Sequence, residues 1–190
     1  MKYVLASASP RRTQIFTELG LDFTVVPSNA EENTDKVLPD KVVQALAKLK
    51  AEEVFSRTGG VVVSADTVVV LDGKIMGKPK DEKDAERMLE SLSGRAHEVY
   101  TGVCVMTDAK TVTKACCTKV RFRKLSDVEI SRYIATKEPL DKAGAYGISG
   151  LGALFVEGIE GDFWNVVGFP ISAFGEIMRN EFDEEIMPVR

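Results

Sequence analysis

Two adjacent arginines, Arg11 and Arg12, lie at the predicted start of the first helix, directly after the first predicted strand. The helix macrodipole disfavours cations at this end by up to about 1 kcal/mol each, and a bound anion reverses that penalty. Free backbone N–H groups of the Ser7–Pro10 loop and the helix end favour the same ligand, and guanidinium groups bind phosphate in a paired geometry. The arrangement indicates a phosphate site, with a solvated basic turn as the alternative.

A single carboxylate, Asp66, interrupts an apolar segment between Ala65 and Thr67. A buried carboxylate needs an ion pair, hydrogen bonds or a metal, and the alternative is a bulge or turn with the side chain in water. Glu31 and Glu32 form a second acidic element in a predicted loop, where simple solvation is the alternative. These acids are candidates for metal binding or acid–base chemistry.

Two lysines complete the set of candidate groups. Lys50 lies on the apolar face of a predicted helix, four residues after Leu46, so its stem either carries the ammonium to water or points it into a cleft. Lys78 lies in the Gly77–Pro79 loop, which the proline favours as extended, and solvation is again the alternative. Cations beside hard carboxylates suggest a phosphorylated ligand with a divalent cation, since Mg²⁺ binds one or two carboxylates together with phosphate oxygens and water.

Several other classes are excluded. The sequence has neither a Walker A motif nor a G-x-S-x-G motif. Its net charge of −4 gives no reason to expect binding to nucleic acid. The three cysteines, Cys104, Cys116 and Cys117, and the single histidine, His97, form neither a disulfide framework nor a zinc site. The cysteines are predicted to lie inside apolar strands.

Alternating strand and helix patterns predict that an α/β fold positions these groups, as a mixed sheet flanked by helices in a single domain over residues 1–190. Strands are predicted at about 3–6, 23–26, 61–65, 68–71, 99–106 and 111–122. Helices are predicted at about 11–19, 39–55 and 81–92, after a capping box at Ser126–Glu129, and from Pro170 to about Asn180. Four glycines within residues 141–152 predict a loop with unusual backbone angles or a close approach to a ligand.

Apolar runs are too short to cross a membrane. The first residues are also too short in their apolar part for a signal peptide. A cytoplasmic location is therefore expected.

Five segments, in order along the chain, together resemble the Maf family of nucleoside triphosphate pyrophosphatases. They are residues 5–12 (LASASPRR), 64–67 (SADT), 77–79 (GKP), 92–95 (LSGR) and 138–148 (EPLDKAGAYGI). The resemblance implies a mixed, twisted sheet with two lobes around a nucleotide-binding cleft (Maf/ITPase-like), and a homodimer. It also implies the hydrolysis of a nucleoside triphosphate to the monophosphate and pyrophosphate with a divalent metal, Mg²⁺ or Mn²⁺.

By the same resemblance, the candidate residues take on roles. Asp66, Glu32 and Lys78 are the expected catalytic residues, and Asp66 is the usual candidate for the base. Glu32 and Asp66 also hold the metal, and either carboxylate can be the main metal ligand with the other as the main base. The positions expected to bind substrate are Ser7, Arg11, Arg12, Lys50, Thr67 and Ser149.

Base preference follows from three positions. Arg11 and Thr67 match the branch of the family that acts on dTTP and UTP. Ser149 stands where that branch has glutamine, and its short hydroxyl predicts a broader tolerance for pyrimidines. The alternatives are a non-catalytic nucleotide-binding regulator, or a phosphatase that shares only the phosphate cradle.

Overall fold

The computed structural model describes residues 1–187 and groups them into two compact units. The first unit contains Met1–Asp66, Thr101–Cys116 and the chain from Gly168 onward, and the second contains Thr67–Tyr100 and Cys117–Val167. The single domain over residues 1–190 and the two lobes around a cleft stay predictions.

Seven strands of the described chain form one mixed sheet. They are β1 (Lys2–Leu5), β2 (Asp22–Val25), β3 (Val61–Leu71), β4 (Lys74–Met76), β5 (Ala96–Met106), β6 (Thr111–Phe122) and β7 (Val156–Glu160). Their order is β2-β1-β3-β5-β6-β7, with β4 paired to β3 outside this path. Strand β1 is parallel to β2 and β3, whereas β4 and β7 are antiparallel to their partners. The predicted α/β class with a mixed sheet is confirmed.

Within residues 1–187, six α-helices accompany the sheet. They are α1 (Pro10–Glu18), α2 (Pro39–Thr58), α3 (Glu82–Leu92), α4 (Asp127–Ala135), α5 (Phe163–Val167) and α6 (Ile171–Phe182). The predicted helices are all present, whereas β4, β7 and α5 were not predicted because each has five residues or fewer and hence little periodicity. Part of the predicted glycine-rich loop folds into short 3₁₀ turns, at Ala143–Ala145 and from Leu151 onward.

Local signals place several element ends. The capping box of Ser126 and Glu129 opens α4 as predicted, and Pro10 occupies the first turn of α1. Ser9 is at the N-cap of α1, but its side chain makes no capping hydrogen bond. The Ser7 hydroxyl instead accepts a hydrogen bond from the Ser9 N–H at 3.2 Å.

An aromatic cluster anchors α1 in the first unit. The ring of Phe16, fully buried, lies 5.2 Å from Phe169, 5.8 Å from Phe174 and 6.4 Å from Tyr3, centroid to centroid. Burying a phenylalanine contributes about 1.5–3 kcal/mol. This packing fixes the helix whose first turn bears Arg11 and Arg12.

Gly102 of β5 brings α2 unusually close to the sheet. A Cβ atom added to this residue would lie 2.4 Å from the Val43 carbonyl oxygen and 2.8 Å from the Gln44 nitrogen. Both are backbone atoms of a helix, so a side chain at position 102 forces the whole of α2 away from the strand.

We expect Gly102→Ala to destabilise the protein by about 1–3 kcal/mol, the usual cost of overpacking a core. Chemical denaturation would measure the loss. The control is Gly175→Ala in α6, where an added Cβ meets nothing within 4 Å and alanine favours the helix. Equal stability of the Gly102→Ala variant and the native protein would contradict the close approach.

The cysteines match their predicted environment only in part. All three lie in strands, and Cys104 is buried, but Cys117 is exposed. Among residues 1–187, no helix combines the length and apolar character needed to cross a bilayer.

Candidate functional site

Asp66 and Ser64 project from the same face of β3, because residues two apart on a strand share a face. The Ser64 hydroxyl, fully buried, donates to the Ala47 carbonyl of α2 at 2.5 Å. Lys50 follows Ala47 by almost one helical turn, and its Nζ lies 2.6 Å from Asp66 Oδ1. Side chains return to the same face every two residues in a strand and about every 3.6 residues in a helix. Ser64 and Asp66 of β3 therefore face Ala47 and Lys50 of α2.

The Lys50 ammonium also contacts Glu32, with 3.0 Å between Nζ and Oε1. The side chains of Lys50 and Asp66 are 13% and 9% exposed, whereas that of Glu32 is 54% exposed. Two carboxylates therefore share one cation at the edge of the core. Asp66 lies in an unbroken, buried strand, so a bulge or turn with a solvated side chain is wrong, and Lys50 does not carry its ammonium out to water.

Arg12 is held on two sides within the first unit. Its Nε donates to the Gly168 carbonyl at 2.8 Å, and its Nη1 donates to the Ser7 hydroxyl at 3.2 Å. Burial and the neighbouring charge of Arg11 lower the pKa of Arg12 to about 10, while the charges of Asp66 and Glu32 oppose this shift, burial being the largest effect. Arg12 therefore stays cationic at neutral pH, and a bound anionic ligand would stabilise its buried charge.

The Ser7 loop and Asp66 lie toward the same edge of the sheet. Leu5, the last residue of β1, pairs with Val63 of the parallel β3, and the Ala6 N–H donates to the Val63 carbonyl at 2.8 Å. Beyond this point β1 enters the loop and β3 continues to Asp66. Ligands of open α/β sheets bind outside the carboxyl ends of parallel strands.

The first unit thus contains six of the predicted site residues. They are Ser7, Arg11, Arg12, Glu32, Lys50 and Asp66. Thr67 is the next residue of β3, and Lys78 and Ser149 are exposed residues of the second unit. The roles of all nine residues stay predictions.

Three further residues shape the cluster and were not predicted. Ser64 and Gly102 set the position of α2, and Gly168 supplies a carbonyl to Arg12. Ser64 had a sequence signal, since it is a polar residue in an apolar run, two positions before Asp66. The role of Gly168 depends on a backbone atom far along the chain, for which no local signal exists.

The carboxylates of Asp66 and Glu32 suit a hard cation. Within residues 1–187, no group of three or more histidine, cysteine or acidic side chains is arranged to hold a metal ion. Two carboxylates without a third protein ligand fit Mg²⁺, which keeps waters and takes substrate phosphate oxygens as further ligands.

Comparisons with known proteins show the family. The family model described as Maf-like protein matches residues 2–181. A dTTP/UTP pyrophosphatase of Thermococcus gammatolerans is 52% identical, over 95% of this chain and 97% of its own. Proteins of the same name from Thermococcus onnurineus and Thermoanaerobacter sp. are 54% and 48% identical, over 88% and 98% of this chain and 91% and 100% of theirs.

Solved structures give more distant matches. A dITP/XTP pyrophosphatase from Mycobacterium abscessus is 15% identical with a TM-score of 0.46, and 94% of each chain is covered. The Ham1 protein of Staphylococcus aureus is 16% identical with a TM-score of 0.49, over 64% of this chain and 72% of its own.

Proposed function

This chain belongs to the Maf family, and from that membership we propose that it hydrolyses dTTP and UTP to the monophosphate and pyrophosphate. The relatives named dTTP/UTP pyrophosphatase match nearly their full length at 48–54% identity. The observation that supports chemistry, rather than binding alone, is the buried Asp66 in contact with Lys50 and Glu32. A protein that only binds nucleotide would keep the cations and could lose the buried carboxylate.

Asp66 is the proposed base. It accepts a proton from a water molecule as the water oxygen attacks the α-phosphorus, and the bond between that phosphorus and the bridging oxygen to the β-phosphorus breaks. Pyrophosphate leaves with the bonding electron pair, and the proton passes from Asp66 to solvent. Lys50 touches Oδ1 of Asp66, so it holds the carboxylate in place and leaves Oδ2 for the water. Acid–base assistance of this kind contributes about 10²–10⁴-fold.

The cations neutralise the triphosphate. Arg12 is fixed by Gly168 and Ser7 before substrate arrives, so it needs little reorganisation to meet the charge that develops on the departing pyrophosphate. Arg11 and Lys78 are also proposed to neutralise the charge of the triphosphate.

Glu32 and Asp66 would hold a divalent cation, Mg²⁺ or Mn²⁺. Such an ion neutralises phosphate charge and makes a bound water more acidic. Lys50 lies between the same two carboxylates and partly compensates their charge when no metal is bound. The proposal includes a cytoplasmic location, where nucleoside triphosphates are made, and a homodimer.

Product analysis tests the activity. Purified protein is incubated with dTTP, UTP, CTP, dATP and GTP, with Mg²⁺, with Mn²⁺ and with a chelator, and the products are separated by ion-exchange chromatography. We expect pyrophosphate and the monophosphate from dTTP and UTP. Release of orthophosphate would identify a phosphatase instead, and binding without turnover would identify a regulator.

Arg12→Ala is expected to lower kcat/KM for dTTP by about 100-fold or more, the typical loss for one preorganised donor. The matched control is Arg87→Ala, which removes an exposed arginine of α3 that pairs with Asp84 and should change nothing measurable. A normal rate for folded Arg12→Ala protein would remove Arg12 from the site.

Ser149 is the proposed source of a broad pyrimidine preference. Glutamine at this position reaches farther and offers both donors and an acceptor, so Ser149→Gln should narrow the selectivity toward dTTP and UTP against CTP. Values of kcat/KM for the three nucleotides measure this effect. Identical profiles for the two proteins would show that Ser149 does not contact the base.

A further inference from the structure

Ser149 lies at the tip of a tight turn. The Gly150 N–H donates to the Gly147 carbonyl at 3.2 Å and closes the turn, and Ser149 itself is exposed. An exposed turn tip is mobile unless its two flanking segments are held. The contacts of these flanks therefore decide how well Ser149 is positioned.

Glu138 holds the flank that follows the turn. Its Oε2 accepts a hydrogen bond from the Leu151 N–H at 3.1 Å, and its Oε1 accepts a longer one from the Gly152 N–H at 3.4 Å. Gly150 packs so tightly on this carboxylate that an added Cβ would lie 2.4 Å from Oε1. One partly buried carboxylate thus contacts three consecutive residues after the tip.

Tyr133 of α4 holds the flank that precedes the turn. Its hydroxyl accepts from the Gly147 N–H at 3.1 Å and donates to Glu138 Oε1 at 2.9 Å. Burial, the largest effect, raises the pKa of the Tyr133 phenol above its usual 10.0, so the hydroxyl stays protonated and keeps donating at neutral pH. Both flanks are therefore joined through a single hydrogen-bonded pair.

The two flanks also touch each other. A Cβ on Gly152 would lie 2.7 Å from the Gly147 carbonyl oxygen and 2.8 Å from the Tyr133 hydroxyl. Glycine at position 152 permits this contact, and the turn is left with little room for alternative conformations.

We propose that Glu138 and Tyr133 are positioning residues that preset the Ser149 turn and thereby determine the choice among pyrimidine nucleoside triphosphates. The proposal rests on the proposed function, because that function is the reason for placing Ser149 in contact with the nucleobase. A polar group discriminates between bases only when its position is set before binding, since ordering a mobile loop offsets the gain of the contact. Neither residue needs to touch the nucleotide.

The test uses Glu138→Gln and Tyr133→Phe. An amide offers one acceptor oxygen where the carboxylate has two, so at least one N–H of the turn loses its partner. Phenylalanine keeps the ring and removes the acceptor of the Gly147 N–H. The matched controls are Glu157→Gln, whose carboxylate pairs with Arg121 on the surface, and Tyr100→Phe, whose hydroxyl donates to Glu98.

Three quantities are measured on each folded variant. They are backbone amide exchange at residues 147–152 without nucleotide, KM and kcat for pyrophosphate release, and the ratio of kcat/KM among dTTP, UTP and CTP. We expect both test variants to exchange these amides at least about 10-fold faster and to raise KM about 10-fold or more, the size of a lost hydrogen bond to a charged group. We expect kcat to change less than about 3-fold and selectivity to flatten. The controls should behave as the native protein does.

The outcomes separate the two proposals. Faster amide exchange with unchanged KM and selectivity would show that the turn does not meet the base, and unchanged exchange would show that the pair does not hold the turn; either result overturns the inference. A native protein that releases no pyrophosphate from any nucleotide overturns the proposed function and the specificity role together. The exchange rates then decide only whether Glu138 and Tyr133 order the turn. A general loss of kcat with selectivity intact would indicate a structural role alone.

Discussion

Asp66→Asn is expected to fold, to bind dTTP, and to release pyrophosphate at least about 100-fold more slowly than the native protein. Asparagine has the size of aspartate and keeps an oxygen that can accept the hydrogen bond from Lys50, so the packing between β3 and α2 is preserved. It cannot take up a proton from water, and it brings no negative charge for a metal ion. The measurements are steady-state kcat and the Kd of a non-hydrolysable dTTP analogue.

Asp72→Asn is the control for this variant. Asp72 is an exposed aspartate in the turn between β3 and β4 and pairs with Arg95, and its φ of 50° is one that asparagine adopts readily. This variant should keep the native rate. A near-normal kcat for folded Asp66→Asn protein would contradict the role of base.

Lys50→Met is expected to lower both activity and stability. Methionine keeps much of the apolar stem but removes the cation, so the buried Asp66 and the half-exposed Glu32 lose their shared partner. Breaking a buried ion pair costs about 3–5 kcal/mol, and we expect about 2 kcal/mol here because water screens Glu32. For a chain of this length that is a fall in Tm of about 4–8 °C, and kcat/KM should fall about 100-fold.

A divalent cation should reverse part of the stability loss. If Asp66 and Glu32 bind Mg²⁺ or Mn²⁺, the ion replaces the missing charge, and its addition should raise the Tm of Lys50→Met more than that of the native protein. Scanning calorimetry with and without a chelator measures this difference. Equal metal-induced shifts in the two proteins would argue against a metal held by this pair of carboxylates.

Lys48→Met is the matched control on the same helix. Lys48 pairs with Glu52 at 3.5 Å, and both side chains are about half exposed. Exposed pairs of this kind contribute 0–1 kcal/mol, so the Tm should move by no more than about 4 °C. A fall in Tm equal to that of Lys50→Met would show that both variants lose stability because the helix loses a positive charge. The contacts of Lys50 with Asp66 and Glu32 would then not be the cause.

Residue types and their spacing were enough to predict the class of fold and the kind of chemistry expected at the site. Hydrophobic periodicity and caps act over a few residues, so the residue types alone place the capping box at Ser126 and Glu129. The same local logic singled out Asp66, because a carboxylate in an apolar run needs a partner wherever the strand lies.

The partner of each group, in contrast, depends on contacts between elements that are far apart in the chain. Lys50 meets Asp66 across 16 residues, and Arg12 meets the Gly168 carbonyl across 156. These pairings depend on how closely α2 approaches the sheet at Gly102 and on where the chain returns to α1. Local propensity does not encode such distances: they arise when side chains from separate elements pack together at fixed spacing, and the cost of leaving a charge buried without a partner then selects one arrangement.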